Sequence, residues 1–447
     1  MSICYTVFTV RKTYKITTIT LGIAIFFITT LGWYQGSGEM LGNSPTDTAI
    51  ALARLSGLLG MLALLFQVVL IGRIRFIERL WGHDTMNTLH RGLGYGIIVF
   101  FIAHIVGMYY GYGSDTTNTF IQQTQSFITN WDDVGNAILG FILFFIALFL
   151  SLPWVRKLLK YETWYFSHLV MYAAIALVFG HQTESGDLLQ SPLFLGFWNA
   201  IVYGVLACMV IYRFIIPLVR MYTIGFRVER IVQENENVHS IYITGKYMNR
   251  FVFDAGQFVH VRFFAKHFWK ESHPFSLSVG PNGSYIRLSV KESGDFTKMI
   301  KNIPLGTRVL VDGPLGHFTL RNARKMNYLF IAGGIGITPI RSLAQTVAHT
   351  KGTMQLLWAV TKESDLALYN ELQGLVQNIT IFVSEGAQTN GFRSGRITKE
   401  ALQELAPDYL ERDVYLCGPP KMMETVRKQL HELGLPKSQI HFEKFSY

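Results

Sequence analysis

Six apolar runs punctuate the first half of the chain, at about 16–34, 50–72, 91–112, 134–152, 164–181 and 194–216. A membrane-crossing helix needs about 20 mostly apolar residues, with a working range of about 17–25, so each run is long enough to span a bilayer. The polar connections between the runs alternate in charge. Arg11, Lys12 and Lys15 precede the first run, Arg73, Arg75 and Arg79 follow the second, and Arg156, Lys157 and Lys160 follow the fourth. The loops 35–49, 113–133 and 182–193 hold no Lys or Arg and carry Glu39, Asp47, Asp115, Asp132, Asp133, Glu184 and Asp187. Basic residues gather on the cytoplasmic side, which predicts that both termini are cytoplasmic. The first run is longer than a usual signal-peptide core, and LGWYQGSGE offers no A-x-A cleavage site, so it is expected to remain as a helix.

After Pro217 the period changes from helical to alternating. The segments FRVERIVQ, HSIYITGKY, GQFVHVRFFA, SYIRLSVKE and TRVLVDG predict an antiparallel β-barrel from about 220 to 325. From about 326 the pattern becomes strand, glycine loop, helix in MNYLFIAGGIGITPIRSLAQTV, and QLLWAV, ITIFVS and DVYLCG then alternate with helical stretches. That alternation predicts a doubly wound parallel sheet. Three domains follow: a six-helix transmembrane bundle over 1–217, a barrel over 218–325 and an α/β domain over 326–447.

Composition agrees with this division. The 447 residues exceed what one core organises, and half of them are hydrophobic. The net charge of +10 would suit nucleic acid, but the basic residues flank membrane runs, so no nucleic-acid partner is expected. Cys4, Cys208 and Cys417 are too few and too scattered for a disulfide framework or zinc site.

Candidate chemistry begins with four histidines inside the apolar runs. His104 follows His90 by fourteen residues, roughly 21 Å along a helix and about 40° round it, so the two share a face near opposite leaflets. His181 follows His168 by thirteen residues, roughly 19.5 Å, so two crossing pairs form at matched depths. Ionisable groups at membrane depth are functional by default, and paired imidazoles on facing helices hold low-spin haem iron. This pairs His90 with His168 and His104 with His181, one haem each. Thirteen residues turn an ideal helix roughly 140° off its starting face, which predicts a kink or wide turn near Gly180. A lone membrane histidine more often packs or relays protons, but two matched pairs are not explained that way. A proton channel lined by histidines would leave the second half of the chain unexplained. Arg54, one turn inside the second run, either snorkels to the interface or faces the outer haem, and Arg91 is either an anchor or a partner for the inner one.

In the barrel, His273, Pro274, Phe275, Ser276, Leu277 and Ser278 form an extended segment whose aromatic and hydroxyls suit a flat ring with a polar edge; an ordinary strand would read the same. Arg287, Lys291 and the GDFT that ends at Thr297 follow, and the Arg and Lys are suited to a pyrophosphate. Gly333, Gly334 and Gly336 let the backbone approach a phosphate at a helix N-terminus, and Cys417, Gly418, Pro419 and Pro420 form a turn at a strand's C-terminal end, where such sheets bind ligands. In the terminal HFEKFSY, Phe445 and Tyr447 either pack or cover a flavin.

These motifs stand in the order of the NADPH oxidase and ferric reductase superfamily, which the sequence resembles from the second helix to its end. The resemblance rests on the histidine spacings, the basic residue after His90, YETWYFSHL, HPFSLS, GDFT, GGIGITP and CGP. It implies a bis-haem b bundle followed by a ferredoxin-reductase-like module, an FAD-binding barrel plus an NAD(P)-binding domain. It also implies FAD at His273 to Ser278, Lys291 and Thr297, the dinucleotide at Gly333, Gly334, Gly336, Thr338 and Pro339, and Cys417 to Pro419 near the nicotinamide. ALAR at 51–54 resembles the oxidase branch, placing Arg54 beside the outer haem and tilting the expected acceptor toward oxygen, giving superoxide, over a ferric or cupric chelate. After the second strand of the last domain Lys362 stands alone among acids, so NADPH is expected with NADH open. The short N-terminal tail lacks an EF-hand, which suggests activity without calcium or an obligatory protein partner. Outer loops without N-x-[ST] sequons fit a bacterial plasma membrane.

Overall fold

The computed structural model describes residues 2–114, 116–184, 186–350, 352–386 and 391–443, so Asp115, Phe445 and Tyr447 lie outside the described residues. Its first half is helical: α1 (Ser2–Ser37), α2 (Pro45–Ile71), α3 (Arg75–Trp81), α4 (His83–Gly113), α5 (Phe120–Asn130), α6 (Val134–Ser151), α7 (Pro153–Arg156), α8 (Tyr161–Glu184), α9 (Asp187–Gln190), α10 (Pro192–Val210) and α11 (Ile216–Ile224). Among the described residues six stretches are long and apolar enough to cross a membrane, Thr13–Met40, Pro45–Ile71, Thr85–Gly113, Val134–Ser151, Thr163–Thr183 and Pro192–Ile224. These are the six runs read from the sequence. Phe27, Leu31, Tyr95, Val99 and Phe149 stand exposed on them, as lipid-facing side chains do. Between α10 and α11 the chain passes through a π turn at Ile211–Ile215, just before Pro217, whose ring nitrogen has no hydrogen to donate.

The chain divides into two compact units, one of residues 16–71 and 88–208, the other of 1–15, 72–87 and 209–447. In the first unit small residues set the helix contacts. A β-carbon at Gly107 would lie 2.7 Å from that of Ala53, and one at Gly111 would lie 2.3 Å from Ile50, so the Gly107/Gly111 pair on α4 lets α2 approach closely. Gly140 plays the same part between α6 and α8, where an added β-carbon would meet the Ala174 carbonyl at 2.9 Å.

In the second unit the barrel strands are β1 (Arg227–Asn235), β2 (Val238–Thr244), β3 (Phe258–Phe263), β4 (His273–Ser276), β5 (Tyr285–Lys291) and β6 (Val309–Leu315). They form two antiparallel sheets, ordered β1-β2-β5 and β4-β3-β6, joined by the bridges Arg227 to Arg308 and Leu277 to Leu288. Inward residues Ile241, Val259, Val261, Phe263, Ile286, Leu288 and Val311 fill one buried core. The segment 72–87 packs on the end of β6: Arg73 pairs with Asp312, Arg75 and Arg220 both donate to the Gly313 carbonyl, and Glu78 accepts the Gly316 N–H at 3.2 Å. Arg73 and Arg75 are thus hydrogen-bonded to protein rather than free membrane anchors.

The remaining elements are α12 (Asp295–Met299), β7 (Asn327–Gly333), α13 (Ile337–Ala348), β8 (Met354–Val360), α14 (Tyr369–Leu375), β9 (Asn378–Val383), β10 (Arg393–Ser394), α15 (Lys399–Leu405), β11 (Arg412–Cys417), α16 (Pro420–Glu432) and β12 (Ile440–Phe442). The sheet is parallel in the order β10-β9-β8-β7-β11-β12. Along β7, Leu329 and Ile331 face α15 and α16 while Phe330 and Ala332 face α13, so both faces of the sheet are covered. Strand order reverses between β7 and β11, and a crevice opens there at their C-terminal ends.

Candidate functional site

The four histidines come together as two pairs. The ring centres of His90 and His168 lie 6.3 Å apart, and those of His104 and His181 also 6.3 Å apart. A metal–imidazole nitrogen distance of about 2.0 Å, plus about 1.1 Å from nitrogen to ring centre, puts two trans imidazole centres about 6.2 Å apart. Both spacings therefore fit one iron between each pair. The planes are twisted by 72° and 44°, which a shared axis permits.

Each Nδ1 faces an oxygen: Gln67 O at 3.3 Å from His90, Ala53 O at 2.8 Å from His104, Ser151 Oγ at 3.0 Å from His168, and Val178 O at 2.5 Å from His181. A carbonyl only accepts, so in three of the four rings Nδ1 carries the proton and Nε2 the lone pair that a metal needs. A β-carbon at Gly57 would sit 2.8 Å from His104 Nδ1, so that glycine makes room for the ring. Gln67 also donates its side-chain amide to the His90 carbonyl at 2.9 Å. Gln67, Ser151 and Gly57 escaped the sequence reading. A small residue four positions after Ala53 and three before Gly60 is the signal that could have found Gly57.

The wide turn expected near Gly180 is not there: α8 runs unbroken from Tyr161 to Glu184. His181 instead reaches its partner while bonding the carbonyl three residues back. Gly180 serves a different contact, since a β-carbon there would meet the Asp133 carboxylate at 2.3 Å.

The guanidinium of Arg54 is neither at a bare interface nor alone. It donates to Ser37 Oγ and Tyr112 Oη at 3.2 Å each and lies 3.5 Å from Asp187 Oδ1, which also accepts from Ser37. Asp187 is almost fully buried, and burial raises its pKa above the ordinary carboxylate value against the pull of Ser37 and Arg54. Arg91 is exposed.

The second unit holds a cleft of about 770 Å³ running from the barrel to the crevice of the parallel sheet. It is lined by Pro274, Phe275 and Ser276 of β4, by Lys291 and Thr297, by Gly333, Gly334, Gly336, Thr338 and Pro339, and by Cys417, Gly418 and Pro419. An added β-carbon at Gly336 would lie 2.4 Å from the Cys417 carbonyl, so the two loops meet backbone to backbone. Gly334 has φ +52° and sits in the short turn before α13.

Five expected contacts fall off the cleft. Leu277 lies in the barrel core, Ser278 is buried and bonded to the Arg287 carbonyl at 3.1 Å and Ser289 Oγ at 2.8 Å, and His273 bonds Glu271 at 2.7 Å and lies against Phe296 with ring centres 3.9 Å apart. Arg287 is buried and bidentate to Glu371 at 2.7 and 3.1 Å, because a carboxylate on α14 offers the same geometry as a phosphate. Burial opposes its charge, yet the bonds to Glu371 carry its pKa above the ordinary value. Lys362 caps the turn beyond β8 and is exposed. The cleft holds instead Phe258, Asp365, Ser384, Arg396, Lys421 and Glu443, which the sequence reading missed. Lys291 bonds Asp365 at 2.9 Å. Burial, and after it the Glu443 carboxylate, push the Cys417 thiol far up, so it stays protonated.

Residues 56–179 match the family described as ferric reductase like transmembrane component, residues 223–319 an FAD-binding domain, and residues 330–428 an oxidoreductase NAD-binding domain. Similar proteins include flavohemoprotein A of Dictyostelium discoideum, 27% identical over 49% of this chain and 59% of its own. The glycine betaine monooxygenase reductase subunit of Chromohalobacter salexigens is 26% identical over 49% and 63%. The flavohemoprotein of Bacillus subtilis is 28% identical over 43% and 51%, so the chain spans only 51% to 63% of these relatives' length. Among solved structures, the flavohem-like FAD/NAD-binding domain of nitric oxide dioxygenase from Vibrio cholerae is 25% identical with a TM-score of 0.44, covering 49% of this chain and 96% of that one. A multi-pass ferric-reductase-like component followed on one chain by FAD-binding and NAD-binding oxidoreductase domains is the architecture of the NADPH oxidase and ferric reductase superfamily.

Proposed function

We propose that the chain moves electrons across a membrane from cytoplasmic NAD(P)H to an acceptor on the outer side, oxygen, which leaves as superoxide. The observation that carries this reading is the pair of matched imidazole spacings, each with Nδ1 turned to an oxygen. When bound, FAD supplies the division of a two-electron donor into single electrons, and two b-type haems supply one-electron carriage. His90 with His168 would hold the inner haem and His104 with His181 the outer.

Pro274, Phe275 and Ser276 would receive the flavin ring, with Lys291 and Thr297 toward its phosphates. Gly333, Gly334, Gly336, Thr338 and Pro339 would receive the dinucleotide, with Cys417 to Pro419 beside the nicotinamide. The protonated Cys417 thiol excludes water there without competing as a nucleophile. The charge pattern of the loops supports two cytoplasmic termini, and outer loops without N-x-[ST] sequons fit a bacterial plasma membrane.

The test is a reduced-minus-oxidised spectrum with haem counted per chain, followed by NAD(P)H oxidation in vesicles. Two b-type haems and superoxide on the face opposite the nucleotide are expected. A chain without haem, or superoxide formed on the nucleotide side, contradicts the reading. A ferric or cupric reductase using the same path is favoured by the name of the matched membrane component. Rates with oxygen alone against ferric chelate under argon separate the two.

A further inference from the structure

Ser151 differs from the other three oxygens that face a histidine Nδ1, because it is a hydroxyl. It is the last residue of α6, and every bonding position it has is taken. Its proton goes to the Ala147 carbonyl at 2.7 Å, and it accepts the indole N–H of Trp164 at 3.2 Å. A hydroxyl has one proton and two lone pairs, and an indole N–H only donates. The lone pair that remains can meet His168 Nδ1, at 3.0 Å, only by accepting a proton from it. The lone pair of His168 is thereby confined to Nε2, as the other three rings achieve with carbonyls.

Trp164 lies one turn before His168, with ring centres 5.4 Å apart and planes only 23° apart. The Arg156 guanidinium sits 4.3 Å from the Trp164 ring centre, so one of the basic residues after the fourth apolar run also holds this indole by cation–π attraction. One hydroxyl and one indole thus restrain the same imidazole, one through its nitrogen and one through its face.

We propose that Ser151 and Trp164 are positioning residues for the His90/His168 site, Ser151 fixing which nitrogen of His168 carries the proton and Trp164 fixing the plane of its ring. This rests on reading that pair as axial ligands. A bonded Nδ1–H makes an imidazole a more basic ligand, which favours the oxidised metal. Losing the acceptor should therefore raise the potential of that site alone.

The experiment is redox titration and low-temperature EPR on the full-length protein in detergent. In Ser151→Ala, one haem midpoint rises and the other stays, the moving one being the one missing from His168→Ala. Ser151→Thr returns it to the wild-type value. In Trp164→Leu the low-spin EPR signal of the same centre shifts or broadens with two haems still bound, and Trp164→Phe, which keeps a flat surface, leaves it in place. Loss of one haem in Ser151→Ala with recovery in Ser151→Thr also supports the proposal. Unchanged midpoints in Ser151→Ala, equal shifts of both, or loss in Ser151→Thr as well would overturn it. A wild-type protein without two low-spin centres sinks the axial-ligand reading itself, a result distinct from any of these.

Discussion

His104 on α4 and Ala53 on α2 are 51 residues apart in sequence, and Nδ1 of the first lies 2.8 Å from the carbonyl oxygen of the second. The contact exists because Gly57, one turn along α2, leaves the ring its space. If each histidine pair holds one haem, Gly57→Ala should displace His104 and cost about half of the haem absorbance, since one of two sites is affected. The haem-to-protein ratio measures this; a variant that retains both haems would show that the ring has other room.

Arg54 and Asp187 should be energetically coupled. Removing Arg54 leaves a buried carboxylate that must protonate or stay unpaired, and contacts of this kind couple by about 0.5–3 kcal/mol in double-mutant cycles. Arg54→Gln and Asp187→Asn should each lower the thermal midpoint in detergent, and the double variant should lose less than their sum. Strict additivity would mean that the two do not interact.

Glu371 bridges Arg287 and Arg341, at 2.7 and 2.8 Å, and although burial disfavours its charge the two guanidinium groups hold its pKa below the ordinary 4.5. A depressed carboxylate contributes stability above its unfolded pKa and loses it as pH falls through the lower folded value. Acid unfolding, followed by flavin fluorescence, should therefore lose a steep component below about pH 4.5 in Glu371→Gln. Identical acid limbs would remove this cluster from the account.

Arg396 and Lys421 line the cleft whereas Lys362 does not. If a 2′-phosphate binds there, Arg396→Ala should raise KM for NADPH by about tenfold, worth roughly 1.4 kcal/mol, and leave KM for NADH nearly unchanged. Equal effects on both nucleotides would place the phosphate elsewhere.

The buried Cys417 thiol, its pKa raised by burial and by Glu443, should resist alkylation at neutral pH and react only after unfolding. Mass spectrometry after maleimide treatment measures this, and fast labelling of the folded protein would contradict the assignment.

Much of this architecture is legible in one dimension. Run length and hydropathy specify crossing helices because hydrocarbon leaves backbone groups no other partner, and the histidine spacings carry depth because helical rise is constant. Alternation of period two specifies the barrel strands, and a glycine loop between strand and helix marks the crevice of the parallel sheet.

What folding alone decided are contacts between residues far apart that any side chain of the right charge or any backbone could have made. Main-chain carbonyls of Gln67, Ala53 and Val178 orient three histidines, and a carbonyl leaves no trace in the residue letters. Arg287 suits a phosphate and a carboxylate equally, and only the packing of α14 against the barrel assigned it to Glu371. His181 needed no break in its helix because a side chain has torsional freedom that a helical wheel does not include. Periodicity reports which groups share a face, and the partner that completes each hydrogen bond is chosen by tertiary approach.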